Sequence, residues 1–423
     1  MGSGAIKVLS VGLVFLTGVF LSRSMGPESY GIYTYAYTIV ILTSLAISGG
    51  LSTLLLRAVA QYQLKEEWCY INGIKKRANQ LVVIGSVFLS VILIAYIVNI
   101  TDPVVKSTHY FSLFVIPILS LSVVRTSVLR GFNQPILAQL ADDIIRPGMF
   151  LALLVVGFYM SKLTPVVAMA MYAASSLAAL IAGFYFLKKN TPVRIQKAKI
   201  DYQNHKWIKQ MLPFTLIAVI QMLNSQLDVL MLGSMMTHAD VGLYQVAAQI
   251  VILIGFPLLI INYVLTSKFA QHFMANELNI VQQLVDGATK IILVISIPVV
   301  IFFIALGEHF VDVVFGKAYL NSYAPLLILM VGQVVNAWIG SVGVLLNMAG
   351  YEMLAAKGLG VSLLANFSLN YYLIPSMGVN GAAIATSFTL VIWNLYMAKI
   401  LWQKKKIKAG VFGLLMPDKR VTR

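Results

Sequence analysis

In a chain of 423 residues that is 59% hydrophobic, the side chains able to do chemistry are the few charges and amides set inside apolar runs. Arg125, in "SLSVVRTSVLRG", lies deep in one such run, and Arg130 follows at i+5. Arg57 closes an earlier run, Arg146 opens a later one beside Asp142 and Asp143, and Arg23 stands at the first hairpin. A charge at membrane depth is costly and faces a bundle interior or a water-filled cavity. A guanidinium offers a planar fork that donates paired hydrogen bonds to phosphate or pyrophosphate oxygens. Arg125 is too deep to snorkel and is assigned to a cavity, with Arg57, Arg130, Arg146 and Arg23 as companion candidates for binding an anionic substrate. Arg57, Arg130 and Arg146 read equally as anchors at the membrane interface, with Arg130 or Arg146 paired to Asp142 or Asp143.

A second group carries the opposite sign. Asp228 lies in "QMLNSQLDVLMLG", with Gln221 and Asn224 at helical spacing on the same face. Asn366 and Asn370, four apart, share a face of a later run, and Thr386 lies in "GAAIATS" beyond it. A carboxylate, two amide oxygens and a hydroxyl are hard donors for Na+, while a lone carboxylate carries H+; Asn, Gln and Thr also serve as hydrogen-bonding glue between helices. No other cofactor is implied. Gly316-Lys317 is followed by Ala and lacks the upstream glycine of a phosphate-binding loop, so ATP hydrolysis by this chain is not expected. The five histidines are scattered, no His-Glu-x-x-His occurs, and the single Cys69 excludes an intramolecular disulfide framework and any Cys-based metal cluster. Few acids lie within the apolar runs, which leaves little for carboxylate-pair glycoside chemistry. The outside loops are too short to house a polymerase or ligase, and an enzyme is not expected.

The elements that position these residues are transmembrane helices. Only 11% of residues are charged and the mean hydropathy is +0.85, whereas soluble domains carry about 25% charged residues. Runs long enough to cross roughly 30 Å of hydrocarbon recur throughout. The pattern predicts twelve spans near 5–22, 31–56, 79–98, 109–130, 143–160, 165–187, 212–235, 241–265, 288–306, 323–347, 355–374 and 380–402. The first run has no small-x-small cleavage site and is read as a retained helix. With the N-terminus inside, 26 of the 31 Lys and Arg fall on inside segments. Four (Arg23, Lys106, Lys162 and Lys317) fall outside, and Arg125 lies within a span. This asymmetry predicts that both termini, including the tail through Lys419, Arg420 and Arg423, are cytoplasmic. The net charge of +16 is then topology plus attraction to anionic lipid, with no nucleic-acid partner implied.

The chain repeats itself. "SMGPESYGIYTYAYTIV" (24–40) and "MMTHADVGLYQVAAQIV" (235–251) share Met25/Met236, Gly31/Gly242, Tyr33/Tyr244, Ala36/Ala247, Ile39/Ile250 and Val40/Val251. The first is read as an outer hairpin bent by Gly26, Pro27 and Gly31, its tyrosines suited to the membrane interface. "LRGFNQPILA" (129–138) and "LNMAGYEMLA" (346–355) form a second pair, with Gly131 and Gly350 marking the matched turns. Each half holds an even number of spans, so the copies are parallel repeats. The expected organisation is an N-terminal six-helix lobe over 1–190, a cytoplasmic amphipathic linker over 191–211 and a C-terminal six-helix lobe with a basic tail over 212–423. In the linker, Trp207, Ile208, Met211 and Leu212 are expected on an apolar side and Lys206 and Lys209 on a basic one.

Four stretches, "LSRSMGPESYGIYTYAYTIV", "LDVLMLGSMMTHADVGLYQVAAQIV", "VVFGKAYLNSYAPLLILM" and "NYYLIPSMGVNGAAIATS", occur in this order along nearly the whole chain. Together they resemble the polysaccharide transporters, the O-antigen or oligosaccharide-unit flippases, of the multidrug/oligosaccharidyl-lipid/polysaccharide (MOP) exporter superfamily. The resemblance implies an all-α, MATE-like fold of two six-helix lobes in a V shape. It implies alternating-access transfer of an undecaprenyl-pyrophosphate-linked oligosaccharide from the inner to the outer leaflet of the cell's inner membrane. The partners implied are that lipid-linked oligosaccharide, membrane lipids and other polysaccharide-assembly proteins. The related lipid II flippase carries a sodium site in its C-terminal half. Asp228, Asn366 and Thr386 match that site's pattern, while Asn370 stands where a second Asp would be, so Na+ and H+ both remain candidate coupling ions. Alternatives within the superfamily are a lipid II flippase, disfavoured by twelve spans against fourteen, and a cation-coupled multidrug exporter, disfavoured by the arginines.

Overall fold

The computed structural model describes residues 2–160 and 163–415. Lys162 and the tail residues Lys419, Arg420 and Arg423 lie outside the described residues. The regular secondary structure of the described residues is entirely helical. In order, the helices are α1 (Gly2–Leu64), α2 (Trp68–Val98), α3 (Pro103–Gly131), α4 (Pro135–Gln139), α5 (Arg146–Tyr159), α6 (Pro165–Asn190) and α7 (Val193–Lys197). They continue as α8 (Asn204–Met235), α9 (His238–Met274), α10 (Leu278–Val314), α11 (Tyr323–Ile339), α12 (Val342–Met348), α13 (Glu352–Lys405) and α14 (Val411–Leu415). Nine helices among the described residues are long and apolar enough to cross a membrane. Two of them carry two predicted spans each: α1 turns at Gly26 (φ 76°) and α13 at Gly378 (φ 55°). The remaining span, the fifth, is interrupted. The described residues thus accommodate the twelve predicted spans of a multi-pass membrane protein.

That interruption departs from the continuous 143–160 helix predicted. Leu140–Ile145 form a π-helical turn between α4 and α5, and the Arg146 amide donates five residues back to the Ala141 carbonyl. Pro147 supplies the physical reason, because it has no N–H to return to the Asp143 carbonyl and the ladder widens before it. The wide turn presents Asp142, Asp143 and Arg146 within a few residues of one another.

The lipid-facing and core-facing residues separate as a bundle requires. On α2, Val83, Ile84, Val87, Phe88 and Val91 are exposed, while Ile71, Ile74, Ala78 and Val82 are buried against Leu55 and Val59 of α1 and Val128 of α3. Side-chain caps fix the starts of α3, α6 and α9. Asp102 Oδ1 accepts from the amides of Val104 (2.7 Å) and Val105 (3.0 Å), and Thr237 with Asp240 forms a capping box on α9.

The chain forms two compact units, Met1–Gln226 and Leu227–Arg423. The internal repeat is visible in their corners. Glu66 (φ 57°) and Asn276 (φ 56°) each end a long helix in the left-handed conformation, one residue before Glu67 and Glu277 begin the next. The second matched corner differs from expectation. The left-handed residue opposite Gly350 (φ 83°) is Asn133 (φ 60°), not Gly131, which ends α3 against Val59. Gln134 N donates to Leu129 O just as Tyr351 N donates to Leu346 O. Asn tolerates this conformation because its short polar side chain bonds locally, so glycine is not the reliable marker of the turn.

Two other expectations are corrected. Tyr30, Tyr33 and Tyr35 are buried in the first unit rather than set at an interface, and Tyr35 meets His109 edge-on at 5.9 Å. In the 191–211 segment, Trp207 is 3% exposed and donates from Nε1 to Tyr62 Oη (3.0 Å). Met211 packs beside it, whereas Ile208 and Leu212 are exposed.

Candidate functional site

Each unit buries a polar cluster inside its helices. In the second unit, Asp228 of α8 is 5% exposed. Its Oδ2 accepts from Thr386 Oγ1 (2.6 Å) and Tyr244 Oη (2.8 Å), and its Oδ1 accepts from Asn370 Nδ2 (2.7 Å). Asn370 Nδ2 also donates to Asn366 Oδ1 (3.0 Å), and Asn366 Nδ2 reaches Thr386 and Thr389 Oγ1, each at 3.4 Å. The structure thus brings Asp228, Asn366, Asn370 and Thr386 together from α8 and both arms of α13. Gln221 is exposed and Asn224 bonds back to the Ile220 carbonyl, so their shared helical face does not enlarge the cluster.

Tyr244 of α9 is the member that sequence reasoning missed. Its only signal was identity with Tyr33 in the repeated stretch, where both were read as corner residues.

The donor set suits a monovalent cation. It supplies one carboxylate charge with amide, hydroxyl and phenol oxygens, and Asn370 Oδ1 is buried without a hydrogen-bond partner. Among the described residues no three His, Cys, Asp or Glu side chains converge as a transition-metal site would require.

The first unit carries the opposite sign. Arg125 of α3 is 1% exposed, not aligned along an open cavity wall as expected. Its Nη2 donates to Asp142 Oδ2 (2.6 Å) and lies 3.1 Å from Thr126 Oγ1, which itself donates to the same carboxylate oxygen (2.5 Å). The far side of the guanidinium lies on Gly183 of α6, where any Cβ would overlap it. Arg125 Nε and Nη1 and Asp142 Oδ1 have no hydrogen-bond partner. Asp143 is approached by Lys7 Nζ and Ser10 Oγ, each at 3.4 Å. The expected pairing of Asp142 and Asp143 with Arg130 or Arg146 is therefore replaced by pairing with Arg125 and Lys7.

Arg146 makes no hydrogen bond or ion pair within 4.0 Å among the described residues. It stands within electrostatic reach of Asp142, Asp143, Tyr37 and Tyr172. Aromatic rings enclose this region: Tyr37 meets Tyr172 edge-on at 5.2 Å, Phe150 meets Tyr172 at 5.2 Å, and Tyr33 stacks on Phe150 at 6.3 Å. Three cations (Lys7, Arg125, Arg146) face two carboxylates, which leaves the cluster net positive. Arg125 and Arg146 are the two predicted arginines brought together. Arg57 is exposed over the Phe214 ring (4.9 Å to its centroid), and Arg130 and Arg23 are exposed elsewhere on α3 and α1.

The described residues thus form two helical units of a multi-pass membrane protein, one holding a net-positive cluster and the other a buried carboxylate. Solved structures of this fold include an inward-facing multidrug resistance MATE-family transporter of the MOP superfamily (TM-score 0.76, 16% identity, 95% of both chains covered). The lipid II flippase in an inward closed conformation is equally similar in fold (TM-score 0.76, 14% identity, 94% of this chain and 87% of that one). The family follows from sequence: residues 3–267 match the model described as polysaccharide biosynthesis protein, and the chain belongs to that family. A probable low-salt glycan biosynthesis flippase of Haloferax volcanii is 23% identical over 184 residues, 44% of this chain. The chain spans only 39% of the length of that curated relative.

Proposed function

We propose that this protein is a flippase that carries an undecaprenyl-pyrophosphate-linked oligosaccharide, a repeat unit of O-antigen or another surface polysaccharide, from the inner to the outer leaflet of the inner membrane. The observation that carries the reading is Arg146: a guanidinium within the membrane-spanning bundle, in a net-positive cluster, without an ion-pair partner. Such a group holds a diphosphate by charge-assisted, paired hydrogen bonds. Arg125 supports it indirectly by taking Asp142 as its direct partner, so that this carboxylate offsets Arg146 only from a distance. Family membership supports a glycan as the cargo, and the fold supports alternating access, with both termini on the cytoplasmic side.

Asp228 is the proposed coupling-ion residue. The bound cation, Na+ or H+, supplies one positive charge to neutralise the carboxylate. Tyr244, Asn370 and Thr386 hold that carboxylate in place by donating to it, and Asn366 braces Asn370 and Thr386, so a cation at Asp228 competes with this network for the carboxylate oxygens.

The experiment is reconstitution of the full chain in proteoliposomes with a fluorescent undecaprenyl-pyrophosphate oligosaccharide, followed by its arrival in the opposite leaflet. The wild-type protein accelerates transfer, and Arg146→Gln slows it by about tenfold or more, the loss expected for one hydrogen-bonded charge. Transfer at the protein-free rate overturns the reading.

A further inference from the structure

One cleft in the second unit belongs to neither cluster. It has a volume of about 540 Å³ between α9 and α11, and its walls include Phe256, Asn262, Tyr263, Thr266, Gln333 and Asn336. No charged side chain lines it.

The three amides set this cleft apart. Among the described residues none of the side chains of Asn262, Gln333 or Asn336 has a hydrogen-bond partner, and Asn262 Oδ1 is buried. Thr266 spends its hydroxyl on the Asn262 carbonyl, one turn back. The Gln333 amide lies directly on Gly255, where any side chain would collide with its Nε2. Polar groups within spanning helices carry a penalty of a few kcal/mol unless they are paired or face a cavity. Three amides lining one cleft, with one backbone position kept bare beneath Gln333, are the construction of a ligand site.

The chemistry of the walls selects the ligand. Side-chain amides both donate and accept, which matches sugar hydroxyl and acetamido groups, while Phe256 and Tyr263 offer apolar faces to a pyranose ring. With no cation in the wall, an acidic sugar would lose its hydration without gaining a compensating charge. The volume falls within the range of about 300–1,000 Å³ of small-molecule sites. We propose that this cleft is a subsite for uncharged sugar residues of the transported glycan, separate from the cationic cluster of the first unit. The proposal rests on the flippase reading for its cargo.

The test uses the full-length protein in lipid nanodiscs, with chitotetraose as a neutral probe and trigalacturonate as an acidic one. Binding is read by saturation-transfer NMR, and Gln333→Met and Asn336→Leu serve as near-isosteric variants. The wild-type protein binds chitotetraose in preference to trigalacturonate, and each variant weakens chitotetraose by about tenfold. The melting temperature of each variant stays level or rises, because an unpaired amide has left the bundle. Three results overturn the subsite: no chitotetraose binding, undiminished binding by the variants, or binding lost together with a lowered melting temperature. Proteoliposome transfer separates the two readings. Wild-type transfer with variant-insensitive sugar binding sinks the subsite alone, and variant-sensitive sugar binding without any transfer sinks the flippase alone.

Discussion

Arg125 Nη2 stands 2.6 Å from Asp142 Oδ2, and that single oxygen also accepts from Thr126. The pair joins α3 to the π-helical turn, two elements separated by a chain reversal. The guanidinium side chain has no exposure, whereas that of Asp142 is 17% exposed, so it is Arg125 that cannot recover its hydration if its partner is removed. Arg125→Ala is expected to cost about 3 kcal/mol, since it removes the one cation in direct contact with Asp142 and leaves only the more distant Arg146 to offset that carboxylate. Replacing both partners together, Arg125→Met with Asp142→Leu, recovers most of that loss. Thermal unfolding of the purified variants in nanodiscs measures both, and an Arg125→Ala variant as stable as wild type would show that the pair contributes nothing.

Gly183 gives an independent handle on the same guanidinium. Its missing side chain is the floor on which Arg125 lies. Gly183→Ala is expected to lower stability by about 1–3 kcal/mol through overpacking, although alanine is the better helix former. In an Arg125→Met/Asp142→Leu background, where no rigid guanidinium presses on α6, the penalty shrinks. Equal penalties in the two backgrounds would show that Gly183 answers to something else.

The Asp228 cluster predicts an order of effects. Tyr244→Phe removes one of three donors within 2.8 Å of the carboxylate and is expected to cost about 1 kcal/mol of stability. Asp228→Asn removes the charge itself. It is expected to abolish any rise in melting temperature with added Na+ and any dependence of transfer on an imposed Na+ or proton gradient. A wild-type response to Na+ at fixed pH identifies sodium as the coupling ion, and a response to the proton gradient alone identifies the proton. Retained gradient dependence in Asp228→Asn would remove Asp228 from coupling.

Trp207 and Tyr62 tie the start of α8 to the end of α1 through one hydrogen bond of 3.0 Å. Trp207→Phe keeps most of the apolar contact and loses the donor. The expected cost is about 1 kcal/mol, read as a lower thermal midpoint with the protein still inserted in the membrane. Trp207→Lys, which an interfacial residue would tolerate, is expected to abolish folding, and full membrane yield of that variant would place the indole outside the core.

What the sequence determined by itself was the part governed by local chemistry. Apolar runs of bilayer length dictated spanning helices, because an unpaired backbone cannot cross hydrocarbon. The i, i+4 spacing put Asn366 and Asn370 on one face, and the recurrence of Met25-to-Val40 at Met236-to-Val251 marked the two halves. The tertiary structure decided which polar groups meet. Asp228, Asn370 and Thr386 carried a recognisable pattern, but Tyr244 entered the cluster only because α9 turns that face toward α8. Arg125 is bonded to Asp142, which stands in the π-helical turn just before Pro147, and no spacing along α3 names that partner. The left-handed residue Asn133, two positions from the glycine that seemed to mark the turn, follows the same rule. Spacing along one helix fixes which side chains share a face, whereas the rotation of each helix against its neighbours is set by packing of the whole bundle, and no short stretch of sequence contains it.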